Sequence, residues 1–499
     1  MGALVAGVIL DHSVLLVDNL GTASFQPSAL SLLHKLRHSK LHLGISYAPA
    51  LSDDKASFLK KMATQYSFDC FMLDGSSTDG ALKGINFAWG DIGGTILYVV
   101  SNDKHGSFNQ LSNLGWIIIA VDAEGAVPCD NSCTIYINKV EELPLTICRL
   151  NREAIGDSTV TVGYIMKPSR EEDFAKRGAF PLCPTPNGLL FLPLTFGLPL
   201  LSQLQHVDIV LHKATDEILS VELSDSMESS GSITYTTGMQ ELQRYMEHHP
   251  GCFVIDPLDK IYPVLDRLKI QQILLGLEDL NKEGSHTIRA PHFLKVDNFN
   301  ELDLVKLLPE ANLSLPSIVK PQIACGVADA HSMAIVFRVQ DFKDLSVPLP
   351  AVVQEYVDHS STLFKIYVLG ERVFYAVKKS IPNVDMLMKL SENNGVGPLL
   401  FDSLKSLPTT KEQSSSGDSL TTSCFDLDLV TEAAHWLARK LDLTIFGFDV
   451  VIQEGTTDHV IVDVNYLPSF KEVPNDISIP AFWEAIKSKF DLREKVKCS

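Results

Sequence analysis

No two cysteines of this chain stand in the CxxC spacing, and the nine it has are scattered from Cys70 to Cys498. Cys129 and Cys133 are the one close pair, and neither a second pair nor a His cluster completes a zinc set. An odd count without framework spacing argues against a disulfide scaffold and for free thiols in a reducing compartment. Long hydrophobic runs are missing too. The apolar start, Met1 to Leu10, has no basic residue before it and is stopped by Asp11, too short to span a bilayer. No other segment reaches 18 uncharged apolar residues, and Ala6 stands where a myristoylation signal carries Ser or Thr. The expectation is a soluble monomer of the cytoplasm, with the nucleus left open, that begins on a buried strand. Positive charge is in deficit: 42 Lys and Arg against 61 Asp and Glu give a net −19. That balance excludes general nucleic-acid binding and docking on an anionic membrane, so any polyanionic ligand needs a local basic pocket. Two phosphate-binding signatures are also absent. There is no GxxxxGKS/T and no GxGxxG after a strand, so a nucleotide site here is neither a P-loop nor a Rossmann fingerprint.

What is present is ordinary globular composition, 45% hydrophobic and 21% charged over 499 residues, enough for several domains. Residues 1 to 155 alternate strand patterns (Val5–Leu10, Val14–Val17, Leu41–Tyr47, Phe68–Leu73, Thr95–Val100, Gly115–Val121) with helical ones (Ser28–Leu36, Lys55–Gln65), which reads as an α/β layer. A second unit, 156–250, opens on a strand at Thr161–Met166. It passes a Pro- and Leu-rich stretch, Phe180 to Leu201, then a strand at His206–Leu211, a Ser-rich loop at Ser224–Ser232 and a helix at Met239–His248. Residues 251–499 carry antiparallel strand patterns at Ser317–Lys320, Ala334–Arg338, Ala351–Val357, Leu363–Leu369 and Val373–Val377. Gly370-Glu371 serves as the hairpin turn between the last two. Lys411–Ser423 reads as a flexible insertion. The helix Leu429–Leu441 then gathers Leu429, Ala433, Trp436, Leu437 and Leu441 on one face, before strands at Thr444–Ile452 and His459–Asn465.

The chemistry concentrates in Phe446 to Pro468. Asp463 and Asn465 are two apart on a strand and share a face. A hairpin turn centred near Thr456 puts Asp449 opposite Asp463. Three oxygen ligands then meet on an apolar sheet, with no His or Cys among them, a set that suits Mg²⁺ better than zinc. Lys213, Lys320 and Lys365 lie in or beside strand patterns. Each alone is a surface lysine, but together with a Mg²⁺ site they fit polyphosphate binding, because phosphoryl transfer needs charge neutralised around the transferring group.

In order along the chain, Val162-Gly163-Tyr164, Leu211-His212-Lys213-Ala214-Thr215-Asp216, Val254-Ile255-Asp256-Pro257-Leu258, Leu265-Asp266-Arg267, Lys320-Pro321 with His331 to Ile335, Val352 to Tyr356, Lys365 to Gly370, and Asp449 with Asp463-Val464-Asn465 form a specific pattern. From Val160 to Glu472 the chain resembles the inositol 1,3,4-trisphosphate 5/6-kinases, also called inositol-tetrakisphosphate 1-kinases, in their longer plant form. The resemblance implies an ATP-grasp fold and transfer of the γ-phosphate of ATP to an inositol tris- or tetrakisphosphate, with two Mg²⁺ ions. It implies that Arg267 and Lys320 contact the ATP phosphates, with Lys320 and Asp463 central to catalysis. Gln354, Glu355, Tyr356, Val357 and Asp358 would form the adenine hinge, mostly through backbone groups, with Ser380 near the nucleotide. Asp449, Asp463 and Asn465 would hold the metal. Arg170, Lys213, His331, Lys365, Asn465 and Ser469 would face the inositol phosphate. Arg170 stands where the family has Lys, Cys325 where plant relatives often have Asp, and Ser469 where the family has Gly; the last two border the substrate loop and bear on isomer preference.

Before that region, Leu16 to Thr22 weakly echoes a haloacid-dehalogenase DxDxT motif, with Asp18 first and Leu20 in place of the second acid. Ser46 and Gly90-Asp91 stand for later motifs of that fold. Without the acid the unit is expected to be an inactive haloacid-dehalogenase-like domain. Two other readings of the whole chain stay open: an ATP-grasp carboxylate–amine ligase and a non-catalytic inositol polyphosphate binder.

Overall fold

The computed structural model describes residues 3–17, 23–73, 79–90, 92–122, 134–156, 158–224, 231–281, 286–300, 304–393, 397–405 and 424–498. The chain divides into two compact units: residues 1–211 with 248–253, and 212–247 with 254–499.

The first unit begins with a six-stranded sheet in the spatial order Asp69–Met72, His42–Tyr47, Val5–Asp11, Thr95–Ser101, Ile117–Val121, Thr134–Ile137. Every neighbouring pair is parallel. The central strands are apolar nearly throughout because both faces are covered, one around Leu10, Ile45, Leu97 and Val99, the other around Ile9, Tyr98, Val100 and Ile118. Val14–Val17 reads as a strand in the sequence, yet His12–Leu15 is a single helical turn. Asp11 caps it by accepting the Ser13 N–H, so the local acid ends the strand. The Phe180–Leu201 stretch holds a strand, Leu189–Pro193, which pairs in parallel with Val160–Ile165.

The second unit contains two five-stranded sheets. One has the order Ile288–Arg289, His459–Tyr466, Ile445–Ile452, Thr362–Leu369, Arg372–Lys379. The other has the order Phe293–Val296, Ala351–Glu355, Ser317–Pro321, Ser332–Val336, Leu399–Asp402. Pairing is antiparallel except between Ile288–Arg289 and His459–Val460. The Gly370-Glu371 turn forms as read, with Leu369 opposite Arg372 and Gly370 at φ +62. That backbone is open to glycine at no steric cost. Helix Leu427–Leu441 buries Leu429, Ala433, Trp436, Leu437 and Leu441. A further helix, Asn475–Cys498, closes the chain. Lys411–Ser423 lies outside the described residues, as do 225–230 of the Ser-rich loop. Among the described residues no helix is long and apolar enough to cross a membrane.

Candidate active site

The hairpin of Ile445–Ile452 and His459–Tyr466 sets Asp449 opposite Asp463 in register, as the spacing predicts. The next strand over puts Lys365 opposite Asp449. Lys365 Nζ stands 3.4 Å from both Asp449 carboxylate oxygens. Asn465 donates from Nδ2 to Asp463 Oδ2 at 3.1 Å. Burial pushes the Asp449 carboxyl up to about 6 against the pull of Lys365. A carboxylate so placed gains from a cation beside it, and the donors at hand are hard oxygens, which fits Mg²⁺. Among the described residues no three His, Cys, Asp or Glu side chains cluster closely enough to hold a metal by themselves. Two carboxylates and an amide would therefore need oxygens from a nucleotide to complete an octahedral shell.

Lys320 comes from the other sheet. It is buried near the end of Ser317–Pro321, and its Nζ donates to Val462 O at 3.2 Å, the carbonyl just before Asp463. Burial lowers its pKa to about 8, while the charges of Asp463 and Asp449 work in the opposite sense. Lys320 thus spans from one sheet to the carboxylate strand of the other. Lys213 is buried too, donates to Tyr466 O, and lies with its Nζ 5.0 Å from the Tyr466 ring centroid. Tyr466 is a residue the sequence reading missed. Its hydroxyl donates to His212 O at 2.9 Å and accepts from Asp256 N at 3.0 Å, which fixes the segment before Lys213 to the Asn465 strand. An aromatic directly after Asn465 is the only sequence signal for it.

His331 Nδ1 lies 3.1 Å from Ser403 Oγ. Burial and the nearby Arg267 charge hold its imidazole below the ordinary range. Arg267 is itself buried, and its Nη1 donates to Pro321 O, Ile323 O and Ala330 O at 2.7, 3.1 and 3.2 Å. Its Nη2 donates to Ala324 O at 3.3 Å. The guanidinium sits against the 321–330 loop. Cys325, in that loop, is partly buried, and burial raises its thiol pKa. Arg170 lies in the first unit, on the helix Pro168–Lys176.

In the hinge, Gln354 is buried in the sheet, paired with both Ile318 and Phe293. Glu355 gives its carboxylate to Arg289, with contacts of 2.8 and 2.9 Å, and accepts from His292 N. Tyr356 donates to Pro382 O at 2.6 Å, and Val357 O lies 2.6 Å from His359 Nδ1. Asp358 accepts the Val384 N–H. The side chains of Glu355, Tyr356 and Asp358 are therefore engaged within the protein. Ser380 is buried and donates its N–H to Ser361 O. Arg289 was not read from the sequence; it also reaches Gln453 Oε1 at 2.7 Å and so ties the hinge strand to the metal-site hairpin.

In the first unit, Asp18 to Thr22 and Asp91 lie outside the described residues. The acid at the end of the first strand is Asp11, and two positions on stands Ser13. Ser46 is its register neighbour on the adjoining strand and donates to Asp11 Oδ2 at 3.2 Å. Tyr98 donates to the same oxygen at 3.0 Å. Burial raises the Asp11 pKa, but the His12 and Ser13 contacts outweigh it and hold the carboxyl below its usual value.

Three family profiles match the chain. "ITPK4, N-terminal HAD-like domain" covers residues 1–153, "Inositol 1,3,4-trisphosphate 5/6-kinase pre-ATP-grasp domain" covers 161–261, and "Inositol 1,3,4-trisphosphate 5/6-kinase ATP-grasp domain" covers 282–482. The chain is 46% identical to inositol-tetrakisphosphate 1-kinase 6 of Oryza sativa subsp. indica, over 98% of this chain and 90% of that one. With the japonica protein of the same name it is 47% identical over the same shares. Among solved structures, D-alanine–D-alanine ligase from Bacillus anthracis aligns at TM-score 0.40 and 12% identity, over 68% of this chain and 100% of the ligase. An N-terminal haloacid-dehalogenase-like domain followed by a pre-ATP-grasp and an ATP-grasp domain, with near full-length identity of this order, makes the chain a member of the inositol-tetrakisphosphate 1-kinase family.

Proposed function

We propose that the chain is an ATP-dependent kinase that transfers the γ-phosphate of ATP to a hydroxyl of an inositol tris- or tetrakisphosphate. The observation that carries this reading is the delivery of Lys320 from one sheet to the Asp449–Asp463 pair of the other, with Lys365 beside that pair. Asp449, Asp463 and Asn465 would hold Mg²⁺, two ions in all, which when bound would neutralise the charge of the β- and γ-phosphates. Lys320 would bind a phosphate oxygen and keep its charge fixed in a buried place, where it acts more strongly than in water. The transition state of phosphoryl transfer is loose and asks little of a general base, so orientation and charge do the chemistry and no base is assigned. Gln354 to Asp358 would grip adenine through main-chain groups, since the acidic and phenolic side chains there are already engaged. Lys213, His331, Lys365 and Arg170 would meet the phosphates of the acceptor, with Asn465 and Ser469 beside its ring. A carboxylate–amine ligase needs to hold one carboxylate; this many cations suits a polyphosphate. We further assign the enzyme to the cytoplasm as a monomer, with lobe boundaries near residues 155 and 250.

The test is product chromatography with labelled ATP over a panel of inositol tris- and tetrakisphosphates. Label should move to an inositol phosphate in the wild type. Asp463→Ala should lower turnover by roughly a hundred- to thousandfold, with an unchanged circular dichroism spectrum. Label released as free phosphate only when a carboxylate and an amine are supplied would replace the kinase reading with the ligase. Full turnover in Asp463→Ala would remove the metal assignment.

A further inference from the structure

The loop between Lys320 and His331 joins two functions. Lys320 faces the nucleotide side of the proposed site, and His331 the acceptor side. The loop's own sequence, PQIACGVADA, has no long side chain to anchor it. Its main chain must therefore find partners elsewhere, because buried carbonyls left unpaired are costly.

Arg267 supplies them. The four carbonyls it engages belong to Pro321, Ile323, Ala324 and Ala330. Pro321 directly follows Lys320, and Ala330 directly precedes His331. One planar guanidinium therefore fixes the chain immediately beside each functional residue. The guanidinium is held in turn from below. Arg267 N donates to Gln322 O at 2.8 Å, and Asp266 Oδ1 accepts from Gln322 Nε2 at 2.9 Å while capping the helix Arg267–Leu274. Ala324 N closes the set by donating to Leu265 O at 2.8 Å. A phosphate drawing Arg267 away would strand several buried carbonyls at once.

Accepting the kinase reading above, we infer that Arg267 is a positioning residue: it braces the 321–331 loop and so sets where His331 meets the acceptor, rather than serving chiefly as a ligand of ATP. Its charge has a second consequence, since it stands near enough to depress the pKa of both Lys320 and His331. The fork matters as much as the charge. Lys carries the same charge but is a compact ammonium that cannot reach four carbonyls spread along a loop.

The experiment uses full-length Arg267→Lys. The expected result is a KM for the inositol phosphate raised at least tenfold and a flattened preference between two acceptor isomers, with the KM for ATP changed less than threefold. Hydrogen exchange of the amides in 321–331 should accelerate at least tenfold in the same variant. Gly326→Ala disturbs the loop from the opposite side and leaves Arg267 intact. Gly326 has φ +87, and an added Cβ would come within 2.7 Å of Ile218 Cδ1. It should reproduce the split between the two KM values, and it serves as the second variant should Arg267→Lys not fold. A raised KM for ATP with an unaltered acceptor KM would overturn the brace and make Arg267 a nucleotide ligand. Unaltered exchange in 321–331 would overturn it as well. If the wild type phosphorylates no inositol phosphate, the kinase reading fails, while the exchange measurement still decides the brace.

Discussion

Asp256 shows what a single buried carboxyl can do. Its Oδ2 accepts the N–H groups of Thr444 and Ile445 at 2.9 and 3.3 Å, and its Oδ1 is buried with no partner among the described residues. Burial raises its pKa to about 6, although the two N–H groups favour the ionised form. The unpaired oxygen agrees with a proton bound there. A carboxyl whose pKa is higher folded than unfolded binds its proton more tightly in the folded state. Its contribution is therefore full below about pH 4, the unfolded value, and is lost as pH rises through about 6. The loss is on the order of 2 kcal/mol. Asp256→Asn keeps an acceptor for both N–H groups and has no proton to lose. Urea midpoints from pH 4 to 7 should fall in the wild type by that amount relative to Asp256→Asn; parallel curves would mean that Asp256 does not titrate there. At this scale the sequence was readable for Asp449, Asp463 and Asn465, because strand spacing alone puts them on one patch. It was not readable for Tyr466, Asp256 or Arg289, whose partners are distant main-chain groups and side chains that no local pattern announces.

Elements were legible wherever a period or a turn residue dominated. The hairpin at Gly370, the register of Asp449 with Asp463 and the buried face of Leu427–Leu441 all follow from local rules. The strand Leu189–Pro193 was missed because it is buried along its whole length and sits among prolines, so it shows no alternation. The Val14–Val17 error came from the same blindness: an apolar run cannot say whether it is strand or helix, and the Asp11 cap decided it. Gly370 offers a direct test of how far a turn positions the site. Its backbone is left-handed, and a Cβ there would meet Ala485 Cα and Cβ at 3.2 Å. Gly370→Ala should cost about 1–2 kcal/mol from backbone conformation, read as a shift in urea midpoint. Because the same hairpin carries Lys365 opposite Asp449, the variant should also raise the acceptor KM. A stability loss with unchanged kinetics would show that the strand register holds Lys365 without the turn.

At the scale of the molecule the problem is charge. The chain carries −19 and must bind two polyanions. The second unit answers by burying its cations where water screens them little: Lys213, Lys320 and Arg267 are all nearly inaccessible, and Lys365 is held beside Asp449. Burial costs each of them desolvation, which the acidic and carbonyl partners offset and a bound phosphate would offset further. His331 belongs to the same unit but adds little charge at neutral pH, because burial and Arg267 lower its pKa. Any share it takes in acceptor binding as a cation should fade as pH rises through a range beneath the ordinary histidine value. Added salt then acts in two opposed senses. It screens the repulsion between the net negative protein and an approaching inositol phosphate, and it weakens the attraction of the local cations. Direct contacts are shorter than the Debye length of about 8 Å at physiological salt, and a bound phosphate exchanges its counterions for them. The local attraction should dominate, so the acceptor KM is expected to rise a few-fold from low to physiological salt, with kcat nearly constant. A KM that stays level or falls would mean that long-range repulsion governs binding and that the acceptor is not held by the cations assigned to it.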